Sequence, residues 1–449
     1  MSSSGSASIP SSVVNLSKGL IGVGIVSLPQ CFAQTGLWLG ALLLVCCAAL
    51  SAYALHLLAL CVLKARDQGS DASFRFLAKA AFGGHQAASA LVPITIAVEG
   101  YGITAAYFVC IGDLLPEVAA YFGNDMSPWN SRTFWITAVG WCVELPLAFP
   151  LKMDSLKFSS IVGQVGVMYI VLLFCLFASG TIALPPPKQS ATFWPPPHST
   201  YTSAPGIFEA IAIFVFSLIC SLNVPTLILE LRDSTMRRID TVICAGVGGT
   251  SCIYVLVGVC GSLAFGASVD GNSLKSFPNM QGTTAGFVSI FARLAIVVNL
   301  MGSIPLYMHP LRENVTHLLF GKTASDLRLS VRGLVTLSLF ILTWGSALVV
   351  PRLDLVMAFV GSTTHMITGF TLPAFFYLLY FLSKGSQGED NVGVSLQTRG
   401  SADCDADVVT SFSPSRGTFK KSALVMLVVS LVVIPVLLTG EACKIANET

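Results

Sequence analysis

Two ionisable residues lie within long apolar stretches of this sequence, where a charge is costly and usually has a function. Lys18 lies near the start of VVNLSKGLIGVGIVSLPQCFAQ (residues 13–34), and Glu99 lies within AVEGYGITAAYF. A buried lysine can replace a bound cation, and a buried carboxyl group can carry a proton or hold a positively charged ligand. Each residue also has a plainer interpretation. Lys18 could extend to the membrane surface, and Glu99 could be a hydrogen-bonded structural acid.

Two of the apolar stretches contain residues that interrupt helices. In the first stretch, 13–34, these are Gly22, Gly24 and Pro29. A helix break within a bilayer persists only where protein or a water-filled cavity satisfies the freed N–H and C=O groups. Transporters use such freed groups to hold polar solutes. A second interruption is expected in the stretch 207–230, which contains Ser217, Ser221, Asn223 and Pro225.

The composition is that of a membrane protein. Hydrophobic residues make up 54% of the 449 residues and charged residues only 11%, against about 25% charged in soluble domains. The net charge of +2 gives no reason to expect a nucleic-acid partner. Eleven apolar stretches each reach the ~17–25 residues that a spanning helix needs. They are 13–34, 37–63, 87–115, 133–150, 158–183, 207–230, 241–266, 286–309, 331–350, 353–382 and 422–440.

Lysine and arginine concentrate in alternate loops, which orients the chain by the positive-inside rule. The basic loops are 64–79, 152–157, 232–238, 312–332 and 384–421. We therefore expect a short cytoplasmic N-terminus at 1–12. Residues 384–421 are rich in Gly, Ser and Asp and are predicted to form a flexible cytoplasmic linker. An odd number of spans places the C-terminus, 441–449, outside the cell or in a lumen.

The first ten spans form two sets of five, 13–183 and 207–383. Because each set contains an odd number of spans, the second set enters the membrane in the opposite sense. This is the inverted-topology repeat of many secondary transporters. The predicted fold class is therefore an all-α membrane protein with a 5+5 inverted repeat and an accessory eleventh helix at 422–440.

Several stretches resemble the amino acid/auxin permease family, and the similarity is spread over nearly the whole chain. The first helix is closest to the proton-assisted amino acid transporters, and the other motifs resemble the sodium-coupled neutral amino acid transporters. The clearest stretches are NLSKGLIGVGIVSLPQCFAQTG (15–36), ELRDSTMRR (230–238), RLAIVVNLMGSIPLYMHPLR (293–312) and VGSTTHMITGFTLPAFF (360–376).

The resemblance implies the inverted-repeat fold of bacterial leucine transporters, with an amino acid bound at the unwound parts of helices one and six. A half-helix N-terminus presents N–H groups that suit a carboxylate, and free carbonyls suit an ammonium group. We therefore place the substrate carboxylate at the first break and its ammonium at the second. The expected contact residues are Gly22, Val23, Gly24 and Ile25 at the first, and Phe216, Ser217 and Leu218 at the second, with Glu99 as a further contact.

In the sodium-coupled branch, the first and eighth helices provide the sodium site. Lys18 here replaces the small or amide residue of that branch, and a lysine ammonium can stand where sodium would sit. The coupling ion is therefore expected to be a proton or sodium, and no other cofactor is expected. The residues concerned are Asn15, Lys18, Asn299 and Ser303.

Two other ionisable residues are expected to be structural. His365 is predicted to bond to a neighbouring helix, with proton relay as a second interpretation. Glu144 is expected to pair with Arg293. For Glu99, three functional interpretations stay open beside the structural one, namely pairing with Lys18, carrying a proton, and contacting the side chain of a basic substrate.

These features predict a secondary-active amino acid transporter that works by alternating access, and not an enzyme. The rival interpretations are an amino-acid-sensing receptor of the same fold and an ion channel. Small neutral amino acids are the first expectation for the substrate, and the exchange of basic amino acids is the alternative that Glu99 suggests. The protein is expected to be a monomer in the plasma membrane or in a vacuolar or lysosomal membrane, with lipid and substrate as its partners.

Overall fold

The computed structural model describes residues 5–67, 73–82, 85–124, 126–150, 157–184, 190–194, 204–382 and 416–448. Within these ranges the chain is helical, apart from turns and one isolated bridge between Ala7 and Leu231. The helices are α1 (Ile9–Leu20), α2 (Leu28–Thr35), α3 (Leu37–Asp67), α4 (Phe74–Ala81), α5 (Gln86–Tyr121), α6 (Arg132–Val139), α7 (Leu145–Ala148), α8 (Lys157–Ala178), α9 (Ala204–Leu218), α10 (Val224–Glu230), α11 (Met236–Phe265), α12 (Thr284–Phe320), α13 (Leu329–Val349), α14 (Leu353–Val360), α15 (Leu372–Leu382) and α16 (Arg416–Glu448).

Eight stretches in the described part of the chain are long and apolar enough to cross a membrane. They are α3, α5, α9 with α10, α11, α12, α13, α14 with α15, and α16. The other three predicted spans are built from shorter helices. Residues 13–34 form α1 and α2, 133–150 form α6 and α7 with a π-helical turn between them, and 158–183 contain α8.

The first helix is broken where the sequence predicts. It begins with Ser8 as its cap, whose side chain accepts a bond from the N–H of Ser11, and it ends at Leu20. Residues Val23–Val26 then form a short 3-10 helix, and α2 starts with Pro29 in its first turn. Glycine is a poor helix former, and proline donates no N–H, so the chain changes direction here rather than continuing α1.

A second break separates α9 from α10. The α-helix ends at Leu218, Ser221–Asn223 form one 3-10 turn, and α10 begins at Val224 with Pro225 in its first turn. Because a proline ring clashes with the carbonyl four residues earlier, Pro225 prevents α9 from running on without interruption.

The two broken helices lie side by side and run in opposite directions. The first half of each broken helix packs on the last half of the other, so that α1 contacts α10 and α9 contacts α2. The 3-10 segment of the first break also contacts α9. The N–H of Ala7 donates to the carbonyl of Glu230 over 2.9 Å, which joins the start of one helix to the end of the other. We call the side where these two residues meet the N-terminal side, and the opposite side the far side.

Around this pair the helices form two packed groups. The pairs α1–α11, α2–α11 and α3–α11 are in contact, and α3 also packs on α9. In the second group, α5 packs on α12, α13 and α6, and α12 packs on α8. The broken helices are thus held by one group and face the other.

The last helix is longer than predicted. Residues 416–421 and 441–448 belong to α16 together with the predicted span, because helices extend past the apolar residues that define a span in the sequence. Gly440 packs on Phe208 of α9, and the Thr371 hydroxyl donates to Ser430 over 3.0 Å. The remainder of the predicted linker lies outside the described residues.

Arg293 does not pair with Glu144, so that expectation is wrong. Arg293 is fully buried and donates to the carbonyls of Leu274 and Phe277, at 3.2 and 2.8 Å, and to the side chain of Asn279 at 3.1 Å. Glu144 lies one turn before Ala148, whose carbonyl bonds to Arg312. At about 1.5 Å per helical residue, Arg312 lies roughly 28 Å along α12 from Arg293. Glu144, which is near Arg312, is therefore far from Arg293.

Candidate functional site

A cavity of about 510 Å³ lies between the two broken helices, α5, α12 and the π-helical part of the tenth predicted span. It begins at the breaks, where Gly24 and Ser217 are part of its wall. It extends toward the N-terminal side as far as Asn15 and Glu230, which are both exposed. The cavity is therefore open on the N-terminal side.

The first break brings backbone N–H groups to this cavity. Gly22, Val23 and Gly24 all line it. The N–H of Gly22 donates to the carbonyl of Leu20 over 3.0 Å. Val23 and Gly24 are the first residues of the 3-10 segment, so no carbonyl of that segment is placed to accept their N–H groups. Adjacent backbone N–H groups of this kind are able to donate hydrogen bonds to an anionic group such as a carboxylate.

The close approach of the two breaks depends on Gly24. A Cβ atom at this position would lie 2.1 Å from the hydroxyl oxygen of Ser217 and 2.9 Å from its Cβ. Such distances are impossible without moving one helix away from the other. The absence of a side chain at Gly24 therefore permits the contact that shapes the site.

The second break provides carbonyl groups, but they do not all face the cavity. Phe216 and Ser217 line it. The Leu218 carbonyl accepts a hydrogen bond of 2.6 Å from the Ser51 hydroxyl of α3. Leu218 and Ile25 are buried in helix packing and are not part of the cavity wall. Of the seven backbone positions predicted from the breaks, five line the cavity.

Glu99 also lines the cavity, and its neighbour is His365 rather than Lys18. Glu99 Oε1 lies 3.3 Å from His365 Nε2. The His365 ring stacks on Phe216 with a centroid distance of 4.9 Å. Lys18 forms no ion pair in the part of the chain that the structure describes, so the pairing of Glu99 with Lys18 is wrong.

The four residues predicted for ion coupling lie on the wall of the same cavity. They are Asn15, Lys18, Asn299 and Ser303. Lys18 is partly exposed, and the Ser303 hydroxyl donates to the carbonyl of Asn299 over 2.8 Å. Among the described residues, no cluster of three or more His, Cys, Asp or Glu side chains could hold a metal ion.

Three tyrosines of the site were missed by the sequence analysis. The Tyr254 hydroxyl donates to the carbonyls of Leu20, at 2.7 Å, and Ser217, at 3.3 Å, and so joins the two breaks. Tyr107 packs edge-to-face on Tyr307 at 5.6 Å, and both line the cavity. A tyrosine within an apolar helix needs a partner for its hydroxyl, and this requirement could have identified the three tyrosines from the sequence.

The far side of the breaks is closed by the loop 269–283 and by the start of α14. The Ser27 hydroxyl donates to the carbonyl of Gly271, and the Ser273 hydroxyl donates to the carbonyl of Val26 over 2.5 Å. The Gln30 amide donates to the carboxylate of Asp354 over 3.3 Å. These contacts separate the cavity from the far side.

A helical membrane protein with two broken helices facing one cavity belongs to the class of membrane transporters. The solved structure of MhsT in complex with L-phenylalanine superposes with a TM-score of 0.56 at 12% identity, covering 96% of this chain and 98% of that one. A mutant manganese transporter of Eremococcus coleocola gives a TM-score of 0.51 at 12% identity, covering 98% and 95%. The fold is therefore leucine-transporter-like.

Sequence comparison adds the family. The family model for transmembrane amino acid transporter proteins matches residues 5–394. Vacuolar amino acid transporter 5 of Schizosaccharomyces pombe is 30% identical over 390 residues, 86% of this chain and 88% of the relative. Sodium-coupled neutral amino acid symporter 2 of Danio rerio is 24% identical over 414 residues, 88% and 80%. The chain belongs to the transmembrane amino acid transporter family, and it is a multi-pass membrane transporter rather than an enzyme.

Proposed function

We propose that this protein is a secondary-active transporter of α-amino acids that works by alternating access. The observation that carries the proposal is the contact of Gly24 with Ser217, which brings the backbone of both breaks to one cavity. The cavity is open on one side and closed on the other, as one state of an alternating-access cycle requires. Relatives named as a vacuolar amino acid transporter and a sodium-coupled symporter support the same function.

The site would bind the part that all α-amino acids share. The substrate carboxylate accepts hydrogen bonds from the N–H groups of Val23 and Gly24, where the helix start adds a partial positive charge. The ammonium group donates to the carbonyls near Phe216 and Ser217. The Tyr254 hydroxyl bonds to carbonyls of both breaks, so it holds the donors of the first break and the acceptors of the second in place relative to each other.

The proposed topology has eleven spans. Two inverted repeats of five, 13–183 and 207–383, surround the site, and α16 is the eleventh span. We place the N-terminal side in the cytoplasm, because basic residues such as Arg66 and Arg232 lie there, and the C-terminus outside the cell or in a lumen. We place the protein, as a monomer, in a plasma membrane or a vacuolar or lysosomal membrane, and the vacuolar names of several relatives favour the second.

The proposed coupling ion is a proton, with sodium as the alternative. Lys18 lies on the cavity wall with Asn15, Asn299 and Ser303, and its ammonium group can occupy the place of a sodium ion. Uptake measured with sodium replaced by choline, at pH 5.5 and at pH 7.5, separates the two. We expect uptake to persist in choline. Strict dependence on sodium would overturn this interpretation of Lys18.

Uptake into liposomes tests the transport function itself. The purified protein should accumulate labelled amino acid in a saturable way when a proton gradient is imposed, and liposomes without protein should not. A receptor of the same fold would bind the amino acid without accumulating it. An ion channel would give unitary currents and no saturation. Either result would replace the proposal.

A further inference from the structure

One wall of the cavity carries a carboxyl group and an imidazole ring side by side. Glu99 and His365 are 3.3 Å apart and are almost completely buried, with 4% and 3% of their surface exposed. Although the two side chains are close, they are not aligned as a hydrogen bond. Glu99 Oε2 and both ring nitrogens of His365 have no hydrogen-bond partner among the described residues. Buried polar atoms without partners cost free energy, so this pair is built to receive another polar group.

The local structure holds this pair against the candidate substrate site. His365 is the last residue of a π-helical turn, Gly361–His365, and such turns occur frequently at functional sites. At the start of that turn, a Cβ atom on Gly361 would lie 2.0 Å from the carbonyl oxygen of Ala212 in α9. The turn is therefore in direct contact with α9. Through its stacking on Phe216, the His365 ring lies beside the second break.

The charge of this wall depends on one proton. In the described part of the chain, His365 is the only basic group recorded within ion-pair distance of Glu99. With a neutral imidazole, the pair carries one negative charge, and with one more proton it is neutral. The other titratable side chains on the cavity wall are Lys18, Tyr107, Cys220, Glu230, Tyr307 and His309.

We propose that Glu99 and His365 form the subsite for the substrate side chain, and that this subsite takes a cationic side chain in exchange for a proton. This inference rests on the transport function proposed above. Before substrate binds, the imidazolium of His365 neutralises the Glu99 carboxylate. A lysine ammonium or an arginine guanidinium then donates its hydrogen bonds to the carboxylate. The proton leaves His365 for water in the cavity, so the pair together with the bound side chain is again neutral.

The exchange follows from electrostatics in a buried site. Two positive charges a few ångströms apart repel strongly where the effective dielectric constant is well below that of water. The carboxylate therefore holds either the proton on His365 or the substrate cation. An amino acid with a short neutral side chain makes no such exchange. Its binding should depend little on the pair.

Calorimetry on the purified full-length protein measures this exchange directly. Lysine and alanine are titrated at pH 5.5, 6.5 and 7.5 in buffers with different enthalpies of ionisation. We expect lysine to release up to one proton at the lower pH values and alanine to release none. Because binding releases a proton, the Kd of lysine should rise as the pH falls from 7.5 to 5.5. Lysine binding without proton release would overturn the proposal.

Three variants test separately the role of Glu99 in binding the cationic side chain and the role of His365 in carrying the proton. Glu99→Gln should lower the ratio of lysine to alanine affinity by roughly 10- to 100-fold, as expected for a lost hydrogen bond to a charged group. His365→Gln should keep lysine binding and lose its pH dependence. Glu230→Gln is the matched control, because it makes the same change at the exposed mouth of the cavity. An unchanged ratio of lysine to alanine affinity in Glu99→Gln would contradict the proposal.

The experiment separates this inference from the transport function. If alanine binds and is transported but lysine does not bind, the transport function stands and the cationic subsite is wrong. If the wild-type protein binds neither amino acid, the transport function is wrong as well. Alanine binding by each variant also shows that the variant is folded.

Discussion

The two ends of the substrate site are built differently. Toward the N-terminal side, the cavity of about 510 Å³ separates the broken helices from α12. Toward the far side, Val26 and Ser27 are covered by the loop 269–283 and have no accessible surface. Under the proposed alternating-access cycle, we infer that a small number of hydrogen bonds hold the far side closed, namely those from Ser27, Ser273 and Gln30.

The loop that covers the far side follows α11 in the chain, where Phe277 stacks on Phe265, and its polar anchors lie on α12 and α5. Arg293 of α12 binds the loop through three groups, and the Asn279 amide donates to Glu117 of α5. Besides packing of the segment 273–276 on α2, the hydrogen bonds recorded between the described residues of the loop and the first broken helix are two hydroxyl–carbonyl bonds, from Ser27 and Ser273. We infer that the loop stays with α5 and α12 and that these two bonds break when the far side opens.

The largest expected effect is at the contact that joins the two breaks. Gly24→Ala places a methyl group 2.1 Å from the Ser217 hydroxyl, so the breaks must separate and uptake into liposomes should fall below a tenth of wild type. Gly248→Ala is the control, because a Cβ atom there meets nothing within 4 Å. Equal uptake by both variants would show that the contact does not shape the site.

The second prediction tests the open and closed ends directly. In a cysteine-free background, Asn15→Cys should react with a membrane-impermeant thiol reagent from the N-terminal side, since Asn15 is exposed on the cavity wall. Val26→Cys lies in the same broken helix and is fully buried, so it should react at least 10-fold more slowly from either side. Comparable rates at both positions would contradict the closed far side.

The third prediction shifts the balance between the two ends. The double variant Ser27→Ala/Ser273→Ala removes both bonds between the loop and the first broken helix. At about 1 kcal/mol for each bond, the equilibrium should move roughly 30-fold toward the state open on the far side.

The rate of labelling at Asn15→Cys reports this shift and should fall in the double variant. Ser262→Ala is the control, because the Ser262 hydroxyl bonds only to carbonyls of its own helix. An unchanged labelling rate in the double variant would show that other contacts hold the far side closed.

The smallest effect is expected at Tyr254. Tyr254→Phe removes the hydroxyl that donates to both breaks. The loss of about 1 kcal/mol should raise the KM for uptake roughly 5-fold, because the donors and acceptors for the zwitterion are held less firmly. Tyr169→Phe removes a similar bond to the Val288 carbonyl, between α8 and α12, and should leave the KM unchanged. A larger effect of Tyr169→Phe on the KM would contradict the role of Tyr254 in holding the two breaks.

The sequence predicts the breaks well because glycine and proline act locally. Gly22, Gly24 and Pro225 change the backbone wherever they occur in a helix, so their positions give the site within a few residues. The sequence does not show in which direction each freed N–H or C=O group points. Ile25 and Leu218 were included from their position along the chain, and only the three-dimensional packing shows that they turn away from the cavity.

Contacts between distant helices were the part that the sequence could not provide. Pairing with Lys18 was one of the interpretations left open for Glu99, which lies next to His365 instead, and Arg293 was assigned the wrong partner. A charged residue in a span signals that a partner exists, but the choice depends on the rotation of each helix. The rotation of the tenth predicted span depends on two π-helical turns, Gly361–His365 and Ile367–Thr371, which its composition does not reveal.

Those two turns also bear on how this chain should be aligned with its relatives. A π-helical turn contains about one residue more than an α-helical turn, and one residue of an α-helix corresponds to about 100° of rotation. A homologue with a regular helix here would keep α15 in the same orientation only by deleting one residue for each turn. Gaps of one or two residues between positions 361 and 371 are therefore compatible with an unchanged fold, although they fall inside a helix rather than in a loop.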